Sequence, residues 1–176
     1  MNLRSATAVA AACAMLGCVS PPSQGPLDEL IGFTDPEWCT PSADFRVLLN
    51  SALQHVEAGD SYRPTVAETV VPKAFEAQVG EPRLVIDGPE YRATIPLSGT
   101  WRNLSLRSLV ITGWIESEQG FYLVFDATPA QVLQAMDQAD FDIPASGKVY
   151  REGDVMGMNV GVEEHGGGGA LFCIPG

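Results

Sequence analysis

Two apolar runs joined by a short polar link, and followed directly by a helix signal, constrain this chain more than any other stretch. Between Leu104 and Gln138 the order is strand, tight turn, strand, helix. Leu109-Val110-Ile111-Thr112-Gly113-Trp114-Ile115 is apolar and rich in β-branched residues. Glu116-Ser117-Glu118-Gln119-Gly120 is polar and ends in glycine, and Phe121-Tyr122-Leu123-Val124-Phe125 is apolar again. Runs of strand length around such a link predict a β-hairpin. Both faces of both strands are apolar, which predicts a place in the middle of a sheet covered on two sides. Thr128 then opens a helix from about Pro129 to Ala139, with proline at the first helical position and Gln131 closing a Thr-x-x-Gln capping box.

Two further hairpins flank this centre. Arg83–Ile86 and Tyr91–Leu97 enclose Asp87-Gly88, a turn signal, and Tyr91, Ala93, Ile95 and Leu97 alternate with Arg92, Thr94 and Pro96. Pro96 places this strand toward an edge. Near the C-terminus Met156, Met158, Val160 and Val162 alternate with Gly157, Asn159, Gly161 and Glu163, and Gly166–Gly169 turns the chain into Ala170–Ile174. Upstream, Phe45, Leu48, Leu49, Ala52, Leu53 and Val56 recur at helical spacing and predict a helix over about 42–58, stopped by Gly59. Tyr62–Gly80 reads as two short helical turns broken at Pro72. The expected fold is α+β: an antiparallel sheet of about six strands in three hairpins, with two main helices packed on it.

The N-terminus reads as a leader. Arg4 supplies a positive start, and Ala6–Leu16 is small and apolar apart from Thr7. That run is too short to span a bilayer and suits a signal sequence. Met15-Leu16-Gly17-Cys18 follows, and it resembles the lipobox of bacterial lipoproteins. The resemblance covers the leader alone. It implies cleavage before Cys18, acylation of that cysteine, and a membrane partner through the resulting lipid anchor. Val19 in place of an aspartate implies the outer membrane. Without the resemblance, the same residues fit an ordinary cleaved signal and a secreted or soluble periplasmic protein. The domain plan is therefore a signal peptide over 1–17, a Pro/Ser/Gly-rich tether over 18–26 and one domain over 27–176. In an oxidising compartment Cys39 and Cys173, one near each end of that domain, have each other as partner; otherwise they stand as two buried thiols.

Function classes narrow by exclusion. A formal net charge of -12 over 176 residues, with no Lys/Arg cluster, opposes binding to phosphate backbones, so no nucleic-acid partner is expected. Ser117 between two glutamates is a poor setting for an anionic nucleophile, Gly-x-Ser-x-Gly is absent, and the two histidines, His55 and His165, sit far apart in sequence. No catalytic residue is assigned. Glu163-Glu164-His165 offers contiguous ligand types, but neighbours on a strand point to opposite faces, so at most two converge. Asp137, Asp140 and Asp142 lack the glycine and terminal glutamate of a calcium loop. No metal or cofactor is expected. The remaining candidate is an aromatic binding surface from Trp101, Trp114 and Tyr122 with Arg92, beside the reading in which these aromatics are core. The sequence-based expectation is an exported, lipid-anchored cell-envelope protein with a non-catalytic binding or structural role toward an envelope protein or polymer. The alternatives are an envelope hydrolase with an acidic active site, and an inhibitor or chaperone-like lipoprotein presenting the Gly166–Gly169 turn.

Overall fold

The computed structural model of the chain describes residues 26–58, 61–115 and 118–176. The leader, Cys18 and the tether up to residue 25 lie outside the described residues. In chain order, β1 (Phe33–Asp35) and β2 (Thr40–Pro41) form a small ribbon, α1 (Ala43–Ser51) follows, and β3 (Leu53–Ala58) pairs with β4 (Ser61–Val66). A 3-10 helix (Lys73–Gln78) leads into β5 (Arg83–Asp87), β6 (Glu90–Trp101), β7 (Leu104–Trp114) and β8 (Gln119–Phe125). Then come α2 (Pro129–Asp137), β9 (Lys148–Arg151), β10 (Met158–His165) and β11 (Gly168–Pro175). The last seven strands form one antiparallel sheet in the order β5-β6-β7-β8-β11-β10-β9.

This overturns the α+β expectation. Strands make up 49% of the structure and helices 17%, and the sheet has seven strands rather than about six. The main loss is the first helix, which stops at Ser51. Its apolar spacing continues through Leu53 and Val56, yet Val56 is 44% exposed and the segment pairs instead with Ser61–Val66. Cross-strand pairing meets the backbone's hydrogen-bond demand as well as a helix does, and β-branched Val56, Thr65 and Val66 favour it. The expected helical turns over 62–80 reduce to the 3-10 helix after Pro72, because the start of that stretch is β4. The seventh strand is β9, held to β10 from Lys148 opposite Gly161 to Arg151 opposite Met158.

The three hairpins stand, with longer strands than their apolar runs. β6 continues past Pro96 to Trp101, and the turn into β7 is only Arg102-Asn103, both at positive φ (48° and 63°). That backbone suits a two-residue hairpin turn. Pro96 is tolerated because β5 reaches only Thr94, so a proline beyond it breaks no ladder on that side. α2 starts with its capping box in place: Thr128 Oγ1 accepts from the Gln131 backbone N–H (3.4 Å), and Gln131 Oε1 accepts from the Thr128 N–H (2.9 Å).

Burial is one-sided. On β6 the odd residues Tyr91, Ala93, Ile95, Leu97 and Trp101 are buried, while Arg92, Pro96 and Ser98 are exposed. Register carries the buried set across as Leu109 and Ile111, Phe121, Leu123 and Phe125, then Leu171 and Cys173. Over this face lie the strap residues Leu27, Leu30 and Ile31, with Phe45 and Leu48 of α1 and Val132, Ala135 and Met136 of α2. Phe33 sits at the centre, its ring 5.4 Å from Phe45, 5.0 Å from Phe141 and 6.2 Å from Phe121. Among the described residues the other face has a small cluster of Val110, Val124 and Ala170 against Tyr122, so the expectation of cover on both sides is corrected. Gly169 lets α2 close on the sheet: a Cβ there would come within 2.8 Å of Val132 Cγ2 and 2.9 Å of the Pro129 nitrogen.

Cys39 and Cys173 form a disulfide across a sequence separation of 134 and are both buried. It ties the strap to the core face of β11. A buried disulfide fits an oxidising, exported compartment. No described helix is long and apolar enough to cross a membrane, which leaves strand-based crossing untouched.

Two outcomes follow from this packing. Replacing both Cys39 and Cys173 by serine is expected to lower stability by about 2–5 kcal/mol, from the lost constraint on a long loop, measured by urea unfolding. Gly169→Ala is expected to cost about 1–3 kcal/mol because the clash is with helix backbone, and an unchanged unfolding midpoint would show that α2 does not bear on this strand.

Candidate functional site

The uncovered face of the sheet holds one cleft where chemically distinct side chains converge. The parity that buries Tyr91 and Ala93 puts Arg92 on the outer face. Arg92 lies opposite Thr112 of β7, and Thr112 lies opposite Gly120 of β8. Gly120 in turn rests against β11, where a Cβ would come within 2.9 Å of the Cys173 carbonyl oxygen and 3.0 Å of Ile174 Cα. Only glycine fits that close approach, since Ile174 Cγ1 also lies 3.0 Å from the Cβ position, and Thr112, Gly120 and Ile174 line a hollow on this face. The hollow measures about 350 Å³, within the lower range of small-molecule sites.

Its walls come from four strands. Trp114, 56% exposed, and Glu118 stand at the β7–β8 hairpin end, and Glu90 is opposite Trp114 on β6. Arg92 lines one side, Ile174 and Pro175 the other, and Tyr122 the inner end. Thr112 lines the cleft and donates its hydroxyl to the Tyr91 carbonyl (3.2 Å). No described residue gives Arg92 a hydrogen bond or an ion pair, whereas Arg102, Arg107 and Arg151 each pair with a carboxylate within 4 Å.

Tyr122 is held from the side. Its ring lies 4.7 Å from that of His165, tilted by 33°, and 6.1 Å from Phe172. Burial pushes the Tyr122 hydroxyl above its usual range; Glu163 adds to this and Arg92 works against it. The His165 imidazole is held below its ordinary value, first by burial and then by Arg92 and Arg107, with Glu163 opposing. Tyr122 and His165 are therefore both neutral at neutral pH, and they join the cleft to Glu163 on β10.

Arg92, Trp114 and Tyr122 thus share one cleft, but Trp101 does not. It lies on the opposite face, 1% exposed, with its indole N–H donated to the Ile31 carbonyl at 2.6 Å. The reason is parity, since Trp101 is an odd residue of β6 and Arg92 an even one. Glu90, Thr112, Glu118 and Gly120 complete the cleft, and only strand register places them there.

The remaining candidates are dispersed. Glu163 and His165 face the open side and Glu164 the other, and no group of three His, Cys, Asp or Glu residues able to hold a metal occurs among the described residues. Asp140 and Asp142 occupy a tight bend at positive φ (60° and 47°), where Arg151 donates to the carbonyls of Phe141 (2.8 Å) and Asp142 (3.1 Å). His55 lies on β3, exposed, its ring 6.1 Å from Tyr91. The glycine-rich turn is no protruding loop: Gly166-Gly167 make the bend, and Arg107 donates to the carbonyls of His165 (3.4 Å) and Gly166 (3.0 Å). Two larger hollows, about 490 Å³ before α2 and about 470 Å³ between 66–69 and 79–82, bring together no aromatic or basic side chain.

Compared with protein-family models, with curated proteins and with solved structures, the chain matches none.

His165 gives a pH prediction for this face. Its folded pKa lies below the unfolded value of about 6.5, so between the two the unfolded chain binds the extra proton. The neutral form's contribution is complete above about pH 6.5 and is lost as pH falls through the lower folded value. His165→Gln is expected to show a shallower decline of the urea midpoint from pH 7.5 to pH 5 than the parent chain, and an equal decline would show that His165 is not held neutral.

Proposed function

We propose that the protein is an exported, lipid-anchored component of the bacterial cell envelope that acts by non-catalytic binding through the Arg92–Trp114–Tyr122 cleft. The carrying observation is the cleft itself: an exposed indole, a buttressed phenol and an arginine without a partner among the described residues, set around a hollow lined by Gly120 on a sheet face that no described helix covers. Exposed aromatics beside a polar rim mark surfaces that bind.

The place of attachment supports the anchor. The described chain begins at Pro26, bridged to Thr100, and the Leu27 N–H donates to the Thr100 carbonyl at 2.6 Å. A tether over 18–26 would therefore join the domain at the Trp101 end of β6. Arg92 lies eight residues back along that strand, about 26 Å away at roughly 3.3 Å per residue. A lipid on Cys18 would hold one end of the sheet at the membrane and present the cleft at the other. With valine rather than aspartate after Cys18, the reading places the anchor in the outer membrane facing the periplasm.

Mass spectrometry of the mature chain and affinity capture from membranes test the two halves. The expected N-terminus is an acylated Cys18, and an unmodified Met1 would refute export. The intact protein is expected to retain envelope material that Trp114→Ala releases. Equal retention by the variant would remove the cleft from the function.

A further inference from the structure

We infer that the cleft takes an uncharged saccharide, one ring seated over Gly120 between Trp114 and Tyr122, with neighbouring rings running across the strands toward Tyr150. This deepens the binding reading above and rests on it.

The charges in the cleft select against ionic ligands. Glu90 and Glu118 line the same hollow as Arg92. A cationic ligand, which the formal net charge of -12 attracts at long range, meets the Arg92 guanidinium at contact. A polyanion meets the two carboxylates, with Glu163 near Tyr122 behind them. A neutral polyhydroxylated ring opposes neither sign. Its hydroxyls donate to the glutamate carboxylates and accept from the five N–H groups of Arg92, which have no partner among the described residues. Its C–H faces lie against the indole and phenol rings, which present apolar, electron-rich surfaces.

The face continues in the right direction. From Gly120 the strands run β8-β11-β10-β9, and Ile174 is opposite Asn159, which is opposite Tyr150. Three strand steps at about 4.8 Å place Tyr150 roughly 14 Å from the hollow. Tyr150 lies over the backbone of Gly157, whose Cβ position its ring would occupy, and remains 57% exposed. Asn159 supplies an amide between the two aromatic positions. A single ring fits within the hollow of about 350 Å³, and a short chain reaches both platforms.

Amide NMR and tryptophan emission on the intact protein, with tetramers of N-acetylglucosamine, glucosamine and galacturonic acid as neutral, cationic and anionic probes, decide the matter. The neutral tetramer is expected to shift the Thr112 and Gly120 amides and the Trp114 indole, and to bind at least tenfold more tightly than either charged tetramer. Trp114→Ala is expected to weaken it at least tenfold, Trp114→Phe to restore part of the loss, and Tyr150→Ala to weaken the tetramer but not the single sugar. No shift at millimolar tetramer, equal binding by Trp114→Ala with its thermal melt unchanged, or a preference for a charged probe would overturn the inference. If sugars fail while capture of envelope material still depends on Trp114, the ligand class falls and the binding reading stands. If both fail, both are wrong.

Discussion

Burial of one continuous apolar face of the seven-stranded sheet, against a small cluster on the other among the described residues, is the constraint from which the rest of this structure follows. The odd residues of β6 and their partners on β7, β8 and β11 form a continuous apolar surface, and a sheet with such a face must cover it. Helices supply little of the cover, since α1 and α2 have nine residues each. The strap before them does much of the work, with Leu27, Leu30 and Ile31 fully buried and Phe33 set among Phe45, Phe121 and Phe141. The strap's own pairing is only the short β1–β2 ribbon. Its attachments to the sheet include the Leu27 bond to Thr100, the Arg102 N–H donated to the Asp28 carboxylate, the Trp101 bond to the Ile31 carbonyl, and the disulfide from Cys39 to Cys173. Cys39 has a left-handed backbone (φ 51°), which costs on the order of 1 kcal/mol for a non-glycine residue and persists because those attachments over-determine it.

The same constraint leaves the opposite face free for other uses. Nothing among the described helices packs there, so its residues answer to one another and to solvent. Val110, Val124 and Ala170 are shielded by neighbouring side chains alone. Glycines on this face hold space for aromatic rings: the Phe172 ring occupies the position a Cβ at Gly161 would need, and Tyr150 does the same at Gly157. At Gly120 it is β11, through the Cys173 carbonyl and Ile174, rather than an aromatic ring that takes the Cβ position, and Gly120 lines the hollow. The cleft is thus a gap in a row of side chains. Most of its lining stands on four paired strands, with Glu118 of the β7–β8 link at its end.

Much of the sheet was legible in the sequence because its signals are local. Asp87-Gly88 and the paired glycines at 166–167 mark turns, and period-two alternation marks β6 and β10. α2 was legible down to its capping box. The β3–β4 ribbon was not, because Leu49, Ala52, Leu53 and Val56 keep helical spacing while the choice of strand depends on a partner segment, Ser61–Val66, that contains Pro64. The candidate surface divides along the same line. Arg92, Trp114 and Tyr122 were found as aromatics and a cation near one another in sequence, yet Trp101 was grouped with them although its odd position on β6 sends it to the core. Glu90, Thr112 and Gly120 carry no chemical mark of their own. They become site residues only through a register that no single strand encodes.

That dependence on register bears on how the cleft could have arisen and how it would be lost. A slip of one residue between β7 and β8 would put Phe121 where Gly120 sits and close the hollow, while turning Tyr122 into the core. The irregularity between Leu106 and Ser108, where β7 bulges against β8, therefore sets the binding geometry as much as the lining side chains do. The core enforces this register from the other side: Phe121 must meet Phe33 and Phe45, and Leu123 must meet Leu109. One interaction thus serves both faces. The packing that buries the phenylalanines under the strap is what keeps a glycine, rather than a bulky residue, beneath Arg92 and Trp114.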